Sequence, residues 1–130
     1  MLEAGDRVPM FKGTDQNGKV FDFRDHKNEN IILFFFPKSM TPACTTQACN
    51  LRDNFKELKK RGFIIIGVSA DLPALQNKFI VTYQLPYILI SDTDKKIMNQ
   101  FGVWGEKQLY GRKYEGVHRT TFVIEKGKII

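Results

Sequence analysis

The sequence predicts an α/β fold, a central mixed β-sheet flanked by helices. Three features carry that expectation. Largely apolar runs at 31–36, 63–68 and 87–90 are too short for helices and read as strands buried on both faces. The segments between them switch to the period of a helix face. Turn residues near both ends mark hairpins, so the sheet is mixed rather than purely parallel.

The first hairpin has Phe11 before the turn residues Asp15, Gln16, Asn17 and Gly18, with Val20, Phe21 and Phe23 after it. Asn-Gly tolerates the positive φ angles of a tight turn. Residues 31–36 follow as a buried strand bounded by Pro37. From Thr41 to Arg61 the apolar residues Cys44, Ala48, Leu51, Phe55 and Leu58 recur at spacings of four, three, four and three, which is one helix face. Gly62 ends that helix and residues 63–68 form a second strand. Asp71 is expected to cap the next helix, with Pro73 in its first turn and Leu72, Leu75 and Phe79 inward. After the strand at 87–90, Asp92 or Thr93 starts a short helix carrying Ile97, Met98 and Phe101, closed by Gly102. Residues 103–117 read as a long irregular stretch. Residues 120–125 form the last complete strand, before a turn at Lys126-Gly127-Lys128.

A length of 130 residues fits a single domain spanning 1–130, large enough to bury a core without disulfide staples. The apolar fraction is 42% with eleven Phe, and the charged fraction of 26% argues against disorder. The net charge of +6 reads as scattered lysines rather than a nucleic-acid patch. The densest cluster, Lys59-Lys60-Arg61, sits where a helix ends and complements its dipole, and no aromatic-interleaved basic stripe is present. The opening residues lack the pattern of a signal peptide, and the run at 31–36 is far too short to span a bilayer. A cytoplasmic protein is expected, with no nucleic-acid or membrane partner. In a reducing compartment, its two cysteines suggest catalysis or metal binding more than structure. His26 and His118 lie too far from the cysteines in sequence for the usual metal-ligand spacings.

In residues 36–44 a buried strand ends, a loop punctuated by Pro37 and Pro42 follows, and Cys44 opens a helix. Strand carboxyl ends are where open α/β sheets bind ligands. The first turn of a helix leaves polarised N–H groups unpaired, which favours thiolate and can hold an anionic oxygen. Ionisation alone is a small effect. A free thiol of pKa about 8.5 is ~3% thiolate at pH 7, so full ionisation gains roughly thirtyfold. A drop of ~2.5 units costs about tenfold of that gain in nucleophilicity. A fast enzyme therefore needs groups that stabilise the transition state, and the Thr41 hydroxyl, the Cys44 N–H and an arginine are the candidates. Cys44 lies on the apolar face and Cys49 on the polar side with Asp53 and Lys56. Five helical residues place their Cα atoms roughly 8.7 Å apart, beyond the ~7 Å limit for a disulfide. If they bond, the first turns must unwind. On spacing alone, a redox pair and a small core cysteine beside an incidental one both stand.

The motif Pro37-x-x-x-Thr41-x-x-Cys44 resembles the active-site motif of peroxiredoxins. The wider run from Phe36 to Cys49 is similar to the bacterioferritin comigratory protein (peroxiredoxin Q) subgroup, which often has a second cysteine at this offset. The likeness continues in the opening run from Gly5 to Phe11, in Phe101-Gly102-Val103-Trp104-Gly105-Glu106-Lys107 and in Gly116-Val117-His118-Arg119-Thr120-Thr121-Phe122. The resemblance implies a thioredoxin-like fold and a thiol peroxidase acting on hydrogen peroxide and organic hydroperoxides. It implies Cys44 as the peroxidatic cysteine and Cys49 as the resolving one, joined in an intramolecular disulfide. Thioredoxin, or glutaredoxin, would reduce that bond. Thr41 would hydrogen-bond thiolate and peroxide, Pro37 would shield the pocket, and Arg119 would approach the sulfur from a neighbouring strand. No cofactor and no metal is implied, and an internal disulfide makes a monomer the default. Cys49 uninvolved in a one-cysteine peroxidase, or a non-enzymatic redox sensor or chaperone, are the rival functions. Many relatives have Glu at the position of Gln47, and the subgroup tolerates Gln. The family continues past the position of Ile130 with a strand remainder and a closing helix, so a C-terminal helix is expected to be missing here. His118 and Trp104 are expected to be structural.

Overall fold

The computed structural model describes residues 1–130. Its main sheet has seven strands in the order β2-β1-β5-β4-β3-β8-β9. These are β1 (Lys12–Asp15), β2 (Val20–Asp22), β3 (Asn30–Phe35), β4 (Phe63–Ser69), β5 (Ile88–Ser91), β8 (Thr120–Glu125) and β9 (Lys128–Ile129). The β3–β4 and β4–β5 pairs are parallel and every other pair is antiparallel. The mixed sheet and its two terminal hairpins match the expectation. Residues 31–35 of β3 are all buried, because both faces of the sheet are covered.

Two apolar layers result. On one face Leu33, Phe35, Ile66 and Val68 pack against Phe11, Phe23, Phe101 and Phe122. On the other, Phe34, Phe36, Ile65 and Leu89 pack against Cys44, Ala48 and Phe79. Phe34 has room because its neighbour in β4 is Gly67: a Cβ there would lie 2.7 Å from the Phe34 ring.

The helices are α1 (Pro42–Asp53), α2 (Phe55–Lys60), α3 (Pro73–Tyr83) and α4 (Lys96–Phe101). None is long and apolar enough to cross a membrane. Three local differences from expectation have physical causes. The single helix expected over 41–61 is interrupted at Asn54, whose side-chain amide donates to the Asn50 carbonyl at 2.9 Å and competes with the backbone ladder. Asp71 does not cap α3. Leu72 takes the N-cap position and is 66% exposed rather than inward, while Gln76 is buried in its place. Residues 103–117 are not irregular. They form a two-stranded sheet, β6 (Trp104–Leu109) with β7 (Arg112–Val117), closed by Tyr110 (φ 51°) and Gly111 (φ 79°). α4 begins at Lys96 rather than at Asp92 or Thr93, with Lys95 in the N-cap position, and the Asp92 carboxylate reaches its first turn by accepting the Ile97 and Met98 N–H groups at 3.0 and 2.8 Å.

Candidate active site

The parallel strands β3 and β4 end side by side, with Phe35 opposite Val68. β3 continues through Phe36, whose N–H donates to the Val68 carbonyl, into the loop at 37–41 and then α1. Thr41 is the N-cap of α1 and Pro42 its first residue, where a missing N–H costs nothing. Cys44 is the third helical residue, 1% exposed, with its thiol free.

β8 brings the partner. It runs antiparallel to β3 with Thr120 opposite Phe35, so Arg119 arrives where β3 ends and the loop begins. Its Nη2 donates to Cys44 Sγ at 3.1 Å. Its Nη1 donates to Gln47 Oε1 at 2.7 Å, and Gln47 Nε2 donates to Thr121 Oγ1 at 3.4 Å. A guanidinium offers fixed donors and keeps its charge at every working pH, so it can stabilise negative charge on sulfur and on an oxygen close to it.

The structure brings together Cys44 and Arg119, adds Gln47, and places Thr41 differently. The Thr41 hydroxyl donates to the Lys38 carbonyl at 2.7 Å rather than to Cys44. That uses its only proton, so toward a ligand it presents lone pairs. Pro37 is half-buried in the loop that carries Thr41. Cys49 is a half-buried free thiol on the outer side of α1, in a shallow cleft with Thr46, Asn50, Asp53 and Asn54. Both cysteines belong to one unbroken helix, so they are not bonded in this conformation. Tyr87 supports α1 from beneath, its hydroxyl donating to the Ala48 carbonyl at 2.7 Å. His118 N–H bonds the Val103 carbonyl and Lys95 lies over the Trp104 ring, which suits structural roles for both residues.

Gln47 carries no assigned role in the sequence reading. Its position three residues after Cys44 on a helix puts the two side chains on neighbouring positions of one face, which is the signal that could have found it.

The chain was compared with known proteins. The model of the AhpC/TSA family matches residues 4–130. Peroxiredoxin Bcp of Escherichia coli (strain K12) is 45% identical over 129 residues, covering 98% of this chain and 83% of that protein. The crystal structure of peroxidoxin BcpB from Mycobacterium tuberculosis superposes with a TM-score of 0.87 at 35% identity, covering 99% of this chain and 83% of that one. A Xanthomonas campestris bacterioferritin comigratory protein, studied in trapped intermediate and ligand complexes for its alkyl peroxide reduction, superposes with a TM-score of 0.88 at 27% identity, covering 96% and 85%.

Proposed function

The chain belongs to the AhpC/TSA family and is a thiol peroxidase of thioredoxin-like fold, and from that premise we propose that Cys44 is the peroxidatic and Cys49 the resolving cysteine. The contact between Arg119 Nη2 and Cys44 Sγ at 3.1 Å carries the reading. It puts a permanent cation on the one buried thiol of the protein.

The Cys44 thiolate attacks the nearer oxygen of a hydroperoxide ROOH. An S–O bond forms, the O–O bond breaks, and the departing RO⁻ takes a proton to leave as water or alcohol. Sulfur is oxidised by two electrons to a sulfenic acid. Arg119 sits where charge passes from sulfur to the departing oxygen. Thr41, with lone pairs free, accepts a hydrogen bond from the hydroperoxide O–H and orients it. Pro37 closes the loop side of the pocket.

The Cys49 thiolate then attacks Cys44 Sγ, an S–S bond forms, and hydroxide leaves as water. Two helical turns must open for this, because their Cα atoms start roughly 8.7 Å apart. A dithiol reductant returns two electrons. Thioredoxin suits the task, since opening α1 carries the disulfide toward the outer cleft where Cys49 already lies. Such a cycle needs a reducing compartment, the cytoplasm, and works within a single-domain monomer.

Non-reducing peptide mapping after one equivalent of peroxide tests the reading. A single peptide holding both Cys44 and Cys49, joined by an internal disulfide and with neither sulfur alkylatable, is expected. A lasting sulfenic acid on Cys44, with Cys49 still alkylatable, would instead indicate a one-cysteine enzyme. Hydrogen peroxide and alkyl hydroperoxides are the substrates to compare, given the alkyl peroxide reduction studied in the Xanthomonas relative.

A further inference from the structure

The loop at 37–41 has one hydrogen bond to the protein outside itself and α1. The Ser39 N–H donates to Asp71 Oδ2 at 2.7 Å. The other loop bond, from Thr41 Oγ1 to Lys38, is internal and moves with the loop. Ser39 is 1% exposed and its own hydroxyl has no partner, so this N–H is its polar tie to the framework. The next residue, Met40, has φ 70°, a left-handed conformation that an L-residue keeps only when it is held.

Asp71 stands on rigid ground. It follows β4, and its Oδ2 also accepts the Ser69 hydroxyl at 2.8 Å. Ser69 Oγ receives Gln76 Nε2 at 2.9 Å, and the same nitrogen donates to the Ile90 carbonyl at 2.8 Å. Ser91 Oγ donates to the Asp71 carbonyl at 2.6 Å. Ser69 and Gln76 are fully buried. None of the six ion pairs includes Asp71, so donors alone balance its charge.

We propose that Asp71 is a positioning residue, a latch from the sheet to the Cys44 loop that sets how readily α1 unwinds between peroxide attack and disulfide formation. The inference rests on the disulfide cycle proposed above. Attack on peroxide uses the wound helix, where Arg119 meets Cys44. Disulfide formation uses the unwound one. The latch bond exists only with the loop in place, so it favours the wound state. A hydrogen bond to a charged acceptor is worth enough to move such an equilibrium about tenfold or more.

Asp71→Ala is expected to speed conversion of Cys44 sulfenic acid to disulfide about tenfold. It should raise by a similar factor the peroxide concentration needed for over-oxidation of Cys44, because the sulfenic acid spends less time beside Arg119. The rate constant for peroxide attack should fall no more than about threefold, since the wound state still dominates. The isosteric Asp71→Asn keeps an acceptor without charge and should lie between wild type and Ala. It decides the matter if Asp71→Ala fails to fold.

Rapid quenching with a sulfenic acid trap and a thiol alkylator, read by mass spectrometry, measures both steps. A general loosening of the fold would lower the melting temperature without speeding the second step. Disulfide formation that is unchanged or slower in the Asn and Ala variants overturns the latch alone. Wild type that forms no Cys44–Cys49 bond overturns the cycle beneath it.

Discussion

Arg119 and Cys44 stand 75 positions apart in the chain and 3.1 Å apart in space. The register of β8 on β3 creates that contact, since Thr120 pairs with Phe35 and the preceding residue has nowhere to lie but over the strand end. The pair is the centre of the proposed chemistry, and its parts can be removed one at a time.

Arg119→Ala is expected to lower kcat/KM for peroxide by ~10²–10³, the usual cost of deleting a donor aimed at developing charge. Arg119→Lys should recover only part of this, because an ammonium lacks the planar fork that aims separate nitrogens at Cys44 and Gln47. Peroxide dependence at saturating reductant measures both. A loss smaller than about threefold in the Ala variant would place the transition-state charge elsewhere.

Gln47→Ala leaves the cation in place but frees it to swing away from the sulfur. A loss of about 3–10-fold in kcat/KM is expected, the size of one hydrogen bond to a charged group. The melting temperature should barely move, since Gln47 is not part of either apolar layer. Equal losses in the Arg119→Ala single variant and in the double variant would show that Gln47 acts through Arg119.

Cys44→Ser should reduce peroxide consumption to the background level. Cys49→Ser should permit one equivalent of oxidation and then stall, with a trappable sulfenic acid and no thioredoxin-linked turnover. Full turnover in Cys49→Ser would remove Cys49 from the cycle.

Tyr87 and Asp92 give handles on stability in two different pH windows, with the same sign. Burial raises the Tyr87 hydroxyl well above its ordinary value, so it stays a donor to the Ala48 carbonyl in ordinary buffers. Tyr87→Phe should cost about 1 kcal/mol of stability in denaturant unfolding. In the unfolded chain the phenol loses its proton near pH ~10 while the native one keeps it, so wild type loses stability as pH rises beyond that point. The Phe variant should lose less over the same range.

Burial also raises the Asp92 carboxyl, against the lowering effect of its bonds to Met98 and Ile97. The native state therefore holds this proton to higher pH than the unfolded chain does. Stability from this group is greatest below the usual carboxylate range and declines as pH rises through the raised value. Comparing the melting curves of wild type and Asp92→Asn across acidic pH should show wild type losing ground as pH increases. The reverse slope would mean that the capping bonds outweigh burial.

The buried strands were legible because residues 31–36 and 63–68 are apolar on both faces, whatever their neighbours. The β6–β7 hairpin was not legible. Glu106, Gln108, Leu109 and most of β7 are exposed, so no alternation is impressed on the sequence, and Tyr110-Gly111 lacks the Asn or Asp that announces such a turn. The break at Asn54 turns on a side-chain bond to Asn50, which the apolar spacing does not record. Cys44, Cys49, Thr41, Pro37 and Arg119 were marked by motif. The Ser39–Asp71 bond was beyond reach, because it depends on β3 and β4 being parallel neighbours that end at the same level. The same network explains why Asp71 leaves the start of α3 to Leu72.

In the proposed cycle Cys44 rides on a helix that opens, whereas Arg119 is fastened to the sheet by β8. Reactivity toward peroxide is thus a property of the gap between two bodies rather than of either residue. Once the sulfur is oxidised and the helix opens, the cation stays behind. On that cycle the protein disarms itself after each oxidation and regains its reactivity only when reduction lets the two bodies close again.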